Sequence, residues 1–139
     1  MRVYVLDSDI LTLFQRGHQT VIDQFAAHQS DELVTTVVTL DEILSGWYTQ
    51  YRKAKSPVEQ ATASARFAQA WNAIRRFPTL PLDLPAVQRF HALLGLKLNI
   101  GRNDLRIAAI ALEVGATLVS RNLKDFRQIP GITCEDWSV

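Results

Sequence analysis

Short unbroken apolar runs alternate with longer stretches in which apolar positions recur every three or four residues, the pattern of strands followed by helices. Val3-Tyr4-Val5-Leu6 opens the chain without polar alternation, as expected of a strand buried on both faces in the middle of a parallel sheet. Asp7-Ser8-Asp9 then places two carboxylates at its exit. In open α/β sheets ligands bind beyond the carboxyl ends of the strands, so Asp7 lies where chemistry would be done.

The pattern continues through the chain. Ile10, Leu11, Leu13 and Phe14 predict a short helix stopped near Gly17, and Val21, Ile22 and Phe25 a second. Glu32 to Val38, rich in β-branched residues, reads as the second strand. Thr39 with Glu42 three residues on carries the signature of a capping box, which starts a helix through Ile43, Leu44 and Trp47, with Trp47 in the core. Ser56-Pro57 restarts a helix that carries Phe67, Ala70, Trp71 and Ile74 and ends at Pro78, so Tyr51 to Ser56 is a charged connector between two helices. Leu80-Pro81-Leu82 is an extended piece suited to a sheet edge. Asp83 caps a helix carrying Val87, Phe90, Leu93 and Leu94. Asn103 to Val114 is a helix with little polar face, closed by Gly115. Thr117 to Ser120 is another short strand, Phe126 to Gly131 a turn, and Ile132 to Glu135 a last strand.

Strands alternating with helices imply an α/β fold of three α/β/α layers around a mostly parallel sheet of four to five strands, with right-handed crossovers. A length of 139 residues fits a single domain, residues 1–139. The near-neutral balance of 15 basic and 14 acidic residues gives no global attraction to nucleic acid or membrane, so any basic surface must be local. No apolar run is long enough to span a bilayer. The lone Cys134 excludes an intramolecular disulfide and suits a reducing compartment, and a cytoplasmic protein is expected.

Three acids sit at equivalent places: Asp7 after the first strand, Glu42 in the helical turn after the second, and Asp104 in the first turn of the buried helix. With parallel strands they converge at one end of the sheet. Each has a structural alternative, since Asp7 can cap a helix, Glu42 can complete a capping box and Asp104 can favour a helix dipole. Clustered carboxylates repel one another, and a hard divalent cation such as Mg²⁺ or Mn²⁺ relieves the repulsion while keeping waters and phosphate in its shell. That points to phosphoester chemistry without a nucleophilic side chain.

The segments VYVLDSDI, TLDEILSG, GRNDLRIAAIAL and LVSRNLKDFRQIPGITCEDW follow one another over nearly the whole chain. In that order they resemble PIN-domain ribonucleases, and among them the VapC-type toxins of bacterial type II toxin-antitoxin systems. The resemblance implies a Mg²⁺- or Mn²⁺-dependent endoribonuclease, with transfer RNA as the family's expected substrate. It also implies a small cognate antitoxin and a homodimer. By position it assigns Asp7, Glu42 and Asp104 as metal ligands and places Asn122 where the family has a fourth acid. An amide oxygen at Asn122 would orient a water but supplies no charge, which argues against a second tightly held ion. Asp9 is expected to buttress the site. Asp125 either compensates for Asn122 or caps a turn, and the turn is the preferred reading.

Arg102, Arg106, Arg121 and Lys124 fall near the expected active end, where they would hold RNA phosphates or stand as solvated charge. Trp47, Tyr48 and Tyr51 have a partner groove as their alternative role. His18, His28 and His91 share no metal-ligand spacing. Two other functions fit part of the pattern. A PIN-like scaffold that binds RNA or a partner with weak or no catalysis is motivated by Asn122. A haloacid dehalogenase-type phosphatase is motivated by Asp7-Ser8-Asp9, although it would want Thr or Val at Leu11 and a late acidic pair.

Overall fold

The computed structural model describes residues 1–139. In chain order it runs β1 (Val3–Leu6), α1 (Ser8–Gln15), α2 (Gln19–Ala27), β2 (Glu32–Thr36), α3 (Val37–Lys53), α4 (Pro57–Ile74), β3 (Thr79–Leu80), α5 (Leu84–Gly95), α6 (Arg102–Val114), β4 (Thr117–Val119), α7 (Leu123–Phe126) and β5 (Thr133–Glu135). The five strands form one sheet in the order β3-β2-β1-β4-β5. Every neighbouring pair is parallel, and β1 lies at the centre.

The strict alternation of side chains along a strand divides the core in two. Val5, Val34 and Leu118 face α5, α6 and the Phe126–Ile129 segment. Tyr4, Leu6 and Val119 face α1, α2, Ile74 and Trp137. The central strand is therefore apolar on both sides, as its sequence requires. Helix α6 carries the most deeply buried run, Leu105 and Ile107 to Ala111. Its end needs a left-handed residue, which Gly115 supplies at φ 67°.

Most elements stand where the pattern places them, including the Ser56-Pro57 helix start and the Asp83 cap, whose carboxylate accepts the Ala86 N–H, while the edge strand covers Thr79–Leu80 and ends just before Pro81. The start of α3 is a correction. The strand ends at Thr36, and the helix begins at Val37 with Thr36 as its cap, its hydroxyl accepting the Thr39 N–H at 3.1 Å. Thr39 is buried inside the helix and Glu42 forms no capping box. The cap moves because Val37 and Val38 join the helix despite their β-branched side chains, with Val38 packed into the core. Trp47 is half-buried rather than central to the core, and residues 123–126, expected to lead directly into a turn, form one helical turn first.

The shifted cap yields a stability test. Thr36→Ala removes a helix cap and is expected to cost about 1 kcal/mol in urea unfolding. Glu42→Gln, which removes no cap bond, is expected to leave stability unchanged or slightly raised.

Candidate active site

Because all strands are parallel, their carboxyl ends open on the same side. Asp7 follows β1 and is buried at 6% exposure. Its backbone N–H continues the ladder to the Val119 carbonyl at 2.9 Å. The side chain does cap α1, with Oδ1 accepting the Ser8 N–H at 2.8 Å. Its other oxygen accepts the buried Ser120 hydroxyl at 2.9 Å. The capping role therefore takes only one of its two oxygens.

Ser120, one residue beyond β4, also accepts the Asn122 backbone N–H through its hydroxyl oxygen at 3.0 Å. The Asn122 side-chain amide then donates to Asp104 at 3.3 Å and to Asp125 at 3.1 Å. Both partners are carboxylates, which only accept, so the amide nitrogen faces them. A continuous chain thus runs from Asp7 through Ser120 and Asn122 to Asp104 and Asp125. Asn122 uses its amide N–H groups to hold two acids, and Asp125 accepts one of these bonds, the alternative to its turn-capping reading. Sequence reasoning did not single out Ser120 as a link. Its place directly after an apolar strand, opposite Asp7, was the available signal.

Asp9 behaves as a support: its Oδ2 accepts the Arg121 backbone N–H at 3.0 Å and so ties α1 to the end of β4. Its Oδ1 is buried with no hydrogen-bond partner. Glu42 is the exposed member of the group, in the second turn of α3. Arg102 and Arg121 are exposed beside these acids in sequence. The Arg106 guanidinium lies 4.7 Å from the centre of the Phe90 ring and donates to Asn103. His18 caps α2, and His28 stacks on Trp137.

The electrostatics agree with crowding of like charge. Burial pushes Asp7 from an ordinary 3.8 up to about 7, reinforced by Asp9 and, less, by Asp104. Asp9 is raised by burial, against the hydrogen bond from Arg121. Glu42 is raised by burial of its carboxylate and then by Asp104 and Asp41. Asp104 is raised by burial and then by Asp125, opposed by the Asn122 amide. Four carboxyls therefore resist ionisation together.

The donor set suits a hard cation: all oxygens, mutual repulsion, and one buried carboxylate oxygen left unpaired. As the side chains lie, no three His, Cys, Asp or Glu residues close around one point. The acids are gathered but not drawn together, with Glu42 on the outside.

A three-layer α/β/α domain with an acid-lined site beyond the carboxyl ends of its parallel sheet is what fold and geometry define. The chain belongs to the PIN domain family, whose profile matches residues 4–132. It is 24% identical over 140 residues to Ribonuclease VapC1 of Haemophilus influenzae strain R2866, covering 98% of each chain. The fold is similar to VapBC2 from Rickettsia felis, crystallised with a DNA fragment from its promoter, at a TM-score of 0.76 and 21% identity, covering 97% of this chain and 98% of that one. It is also similar to DNA-bound VapBC from Salmonella typhimurium, at 0.75 and 25% identity, with 99% of each chain covered.

The raised Asp7 gives a pH prediction with a definite sign. Between about pH 4 and pH 7 the folded protein holds a proton that the unfolded chain has released, so wild-type stability falls as pH rises through that window. Asp7→Asn, which keeps the cap and a partner for Ser120, removes this penalty. In metal-free buffer its advantage over wild type is expected to be near zero at pH 4 and to reach a few kcal/mol, at most roughly 4, above pH 7. Parallel urea melts across that range check it, and a constant offset between the two proteins would contradict it.

Proposed function

We propose that the protein is a metal-dependent endoribonuclease and the toxin of a type II toxin-antitoxin pair. The observation that carries this reading is the hydrogen-bonded chain that gathers Asp7, Asp104 and Asp125 through Ser120 and Asn122 at the carboxyl end of the sheet, with Glu42 beside it. The likeness to Ribonuclease VapC1 over nearly the full length supports RNA as the substrate.

Asp7, Glu42 and Asp104 would hold Mg²⁺ or Mn²⁺, with Asp9 and Asp125 supplying further negative charge. When bound, the ion supplies Lewis acidity toward a phosphate oxygen and toward water. The chain's own groups do the rest. Ser120 and Asn122 keep the carboxylates from turning away from one another, which lowers the reorganisation needed at reaction. Arg102 and Arg121 would hold the phosphates that flank the cleaved bond. Water adds to phosphorus, the phosphorus–oxygen bond to the departing ribose breaks, and that oxygen leaves with a proton. No protein nucleophile enters. Transfer RNA is the proposed substrate class.

Crystal structures of VapBC pairs among the similar folds support an antitoxin partner. It would seat in a groove of about 540 Å³ between α1, α3 and α4, with Leu11, Phe14, Ile43, Trp47 and Phe77 among its apolar lining and Arg16 and Arg66 as its charged members. It shares α1 with Asp9 and α3 with Glu42, so an apolar segment seated there would lie alongside the acids.

Purified protein free of antitoxin, incubated with bacterial transfer RNA and Mg²⁺, is expected to cut it, whereas Asp7→Asn should lose at least 100-fold in rate. Equal cleavage by both proteins would falsify the assigned site. No cleavage of any RNA by folded wild type would favour a binding scaffold. Binding itself has an independent readout. Mn²⁺ is expected to raise the melting temperature of wild type more at pH 8 than at pH 6, because protons compete for the same carboxyls, and to have little effect on Asp7→Asn.

A further inference from the structure

Charge is distributed unevenly between the acid site and the long helical hairpin of α3 and α4. From Tyr48 to Phe77 the chain carries Arg52, Lys53, Lys55, Arg66, Arg75 and Arg76 against a single acid, Glu59, leaving nine cations against thirteen acids elsewhere. None of the six is in a salt bridge, since the one ion pair of the protein joins Arg89 to Glu113. Glu59 is turned toward the backbone, accepting the Lys55 N–H at 3.4 Å.

The same hairpin exposes aromatic rings. Tyr48 and Tyr51 are 47% and 46% exposed, and both meet Phe67 of α4 edge to face with centroids 6.1 and 6.3 Å apart. Arg52 sits 5.3 Å from the Tyr48 ring centre and donates to its hydroxyl at 2.6 Å. Beside them is a shallow recess of about 600 Å³ lined by Tyr51, Arg52, Ala54, Pro57, Gln60 and Ser64. Helix α3 connects the recess to the acid site: Arg52 lies ten residues beyond Glu42, roughly 15 Å along the axis.

We propose that the tip of the α3–α4 hairpin is an RNA-holding arm. Tyr51 stacks an unpaired base at the recess, while Arg52, Lys53 and Lys55 hold the neighbouring phosphates, a few nucleotides from the bond at the acid site. This rests on the ribonuclease reading for its substrate and adds a surface remote from the chemistry. Exposed rings beside unpaired cations are the combination that grips single-stranded or loop RNA, because every base offers a stacking face and every linkage a negative charge. A second copy of this chain is the poorer occupant, since a two-fold contact through this patch would set one cationic tip against another.

The test uses the full-length protein in EDTA, where binding is read without cleavage, and a fluorescein-labelled 12-nucleotide oligouridylate. Arg52→Ala/Lys53→Ala/Lys55→Ala is expected to bind at least tenfold more weakly and to lower the slope of log affinity on log salt by about two, from three lost phosphate contacts. Tyr51→Ala is expected to weaken binding roughly tenfold with the slope unchanged, which separates stacking from charge. With Mg²⁺ present, the triple variant should raise KM for transfer RNA about tenfold, with kcat and the cleavage of a four-nucleotide RNA both unchanged. All three cationic positions are exposed, so melting curves matching wild type are expected. Unchanged oligouridylate binding by both variants overturns the proposal. So does a variant that loses self-association in sedimentation while keeping its RNA affinity. If wild type cuts no RNA but binding still depends on these residues, the arm stands and the ribonuclease reading fails.

Discussion

Everything at the acid end depends on a carboxylate held where its charge is disfavoured. Asp7 is almost fully buried at the end of the central strand, among two other acids that raise its proton affinity further. A fold that only needed a cap for α1 would be served by an Asn or Ser there, without the penalty of a buried charge. Placing an acid at that point stores a cost that a cation or a proton relieves. The site is thereby destabilising by itself and strongly attractive to positive charge.

The surrounding hydrogen bonds make that cost tolerable and give it direction. Ser120 and the Ser8 N–H satisfy the two oxygens of Asp7, and the Asn122 amide holds Asp104 and Asp125 at the same time. Asn122 thus bridges two acids and partly offsets the repulsion from Asp125 that raises Asp104. A carboxylate in its place would add a further negative charge to a cluster in which burial and like charge already raise Asp7, Asp9, Glu42 and Asp104. The neutral amide is consistent with this crowding, and Asp125 supplies charge one helical turn away.

The chain then segregates its charges. A protein of nearly zero net charge gathers Asp7, Asp9, Glu42, Asp104 and Asp125 beyond the strand ends and carries an unpaired excess of cations on the α3–α4 hairpin. A polyanion approaching the negative site alone would be repelled, and a distant cationic arm offsets that repulsion before any contact forms. The groove between α1, α3 and α4 lies between these two regions by virtue of the helices it shares with each.

The sequence by itself determined the layer architecture and the placing of Asp7, Glu42 and Asp104 toward one end of the sheet. Unbroken apolar strands and amphipathic helices have few other ways to bury their surfaces, and parallel strands send their exits to one side. It was also sufficient for caps that depend on local bonds, such as Ser56 and Asp83. It misplaced the start of α3, because Thr36 and Thr39 are equally good local caps and only the burial of Val38 against the sheet decides between them. It could not reveal that Ser120 touches Asp7 across more than a hundred residues, or that Asn122 and Asp125 point at Asp104. Those contacts come from the adjacency of β1 and β4, which no local pattern encodes. Whether an acid at a strand end caps a helix or joins a site is settled by what the rest of the fold brings to its second oxygen.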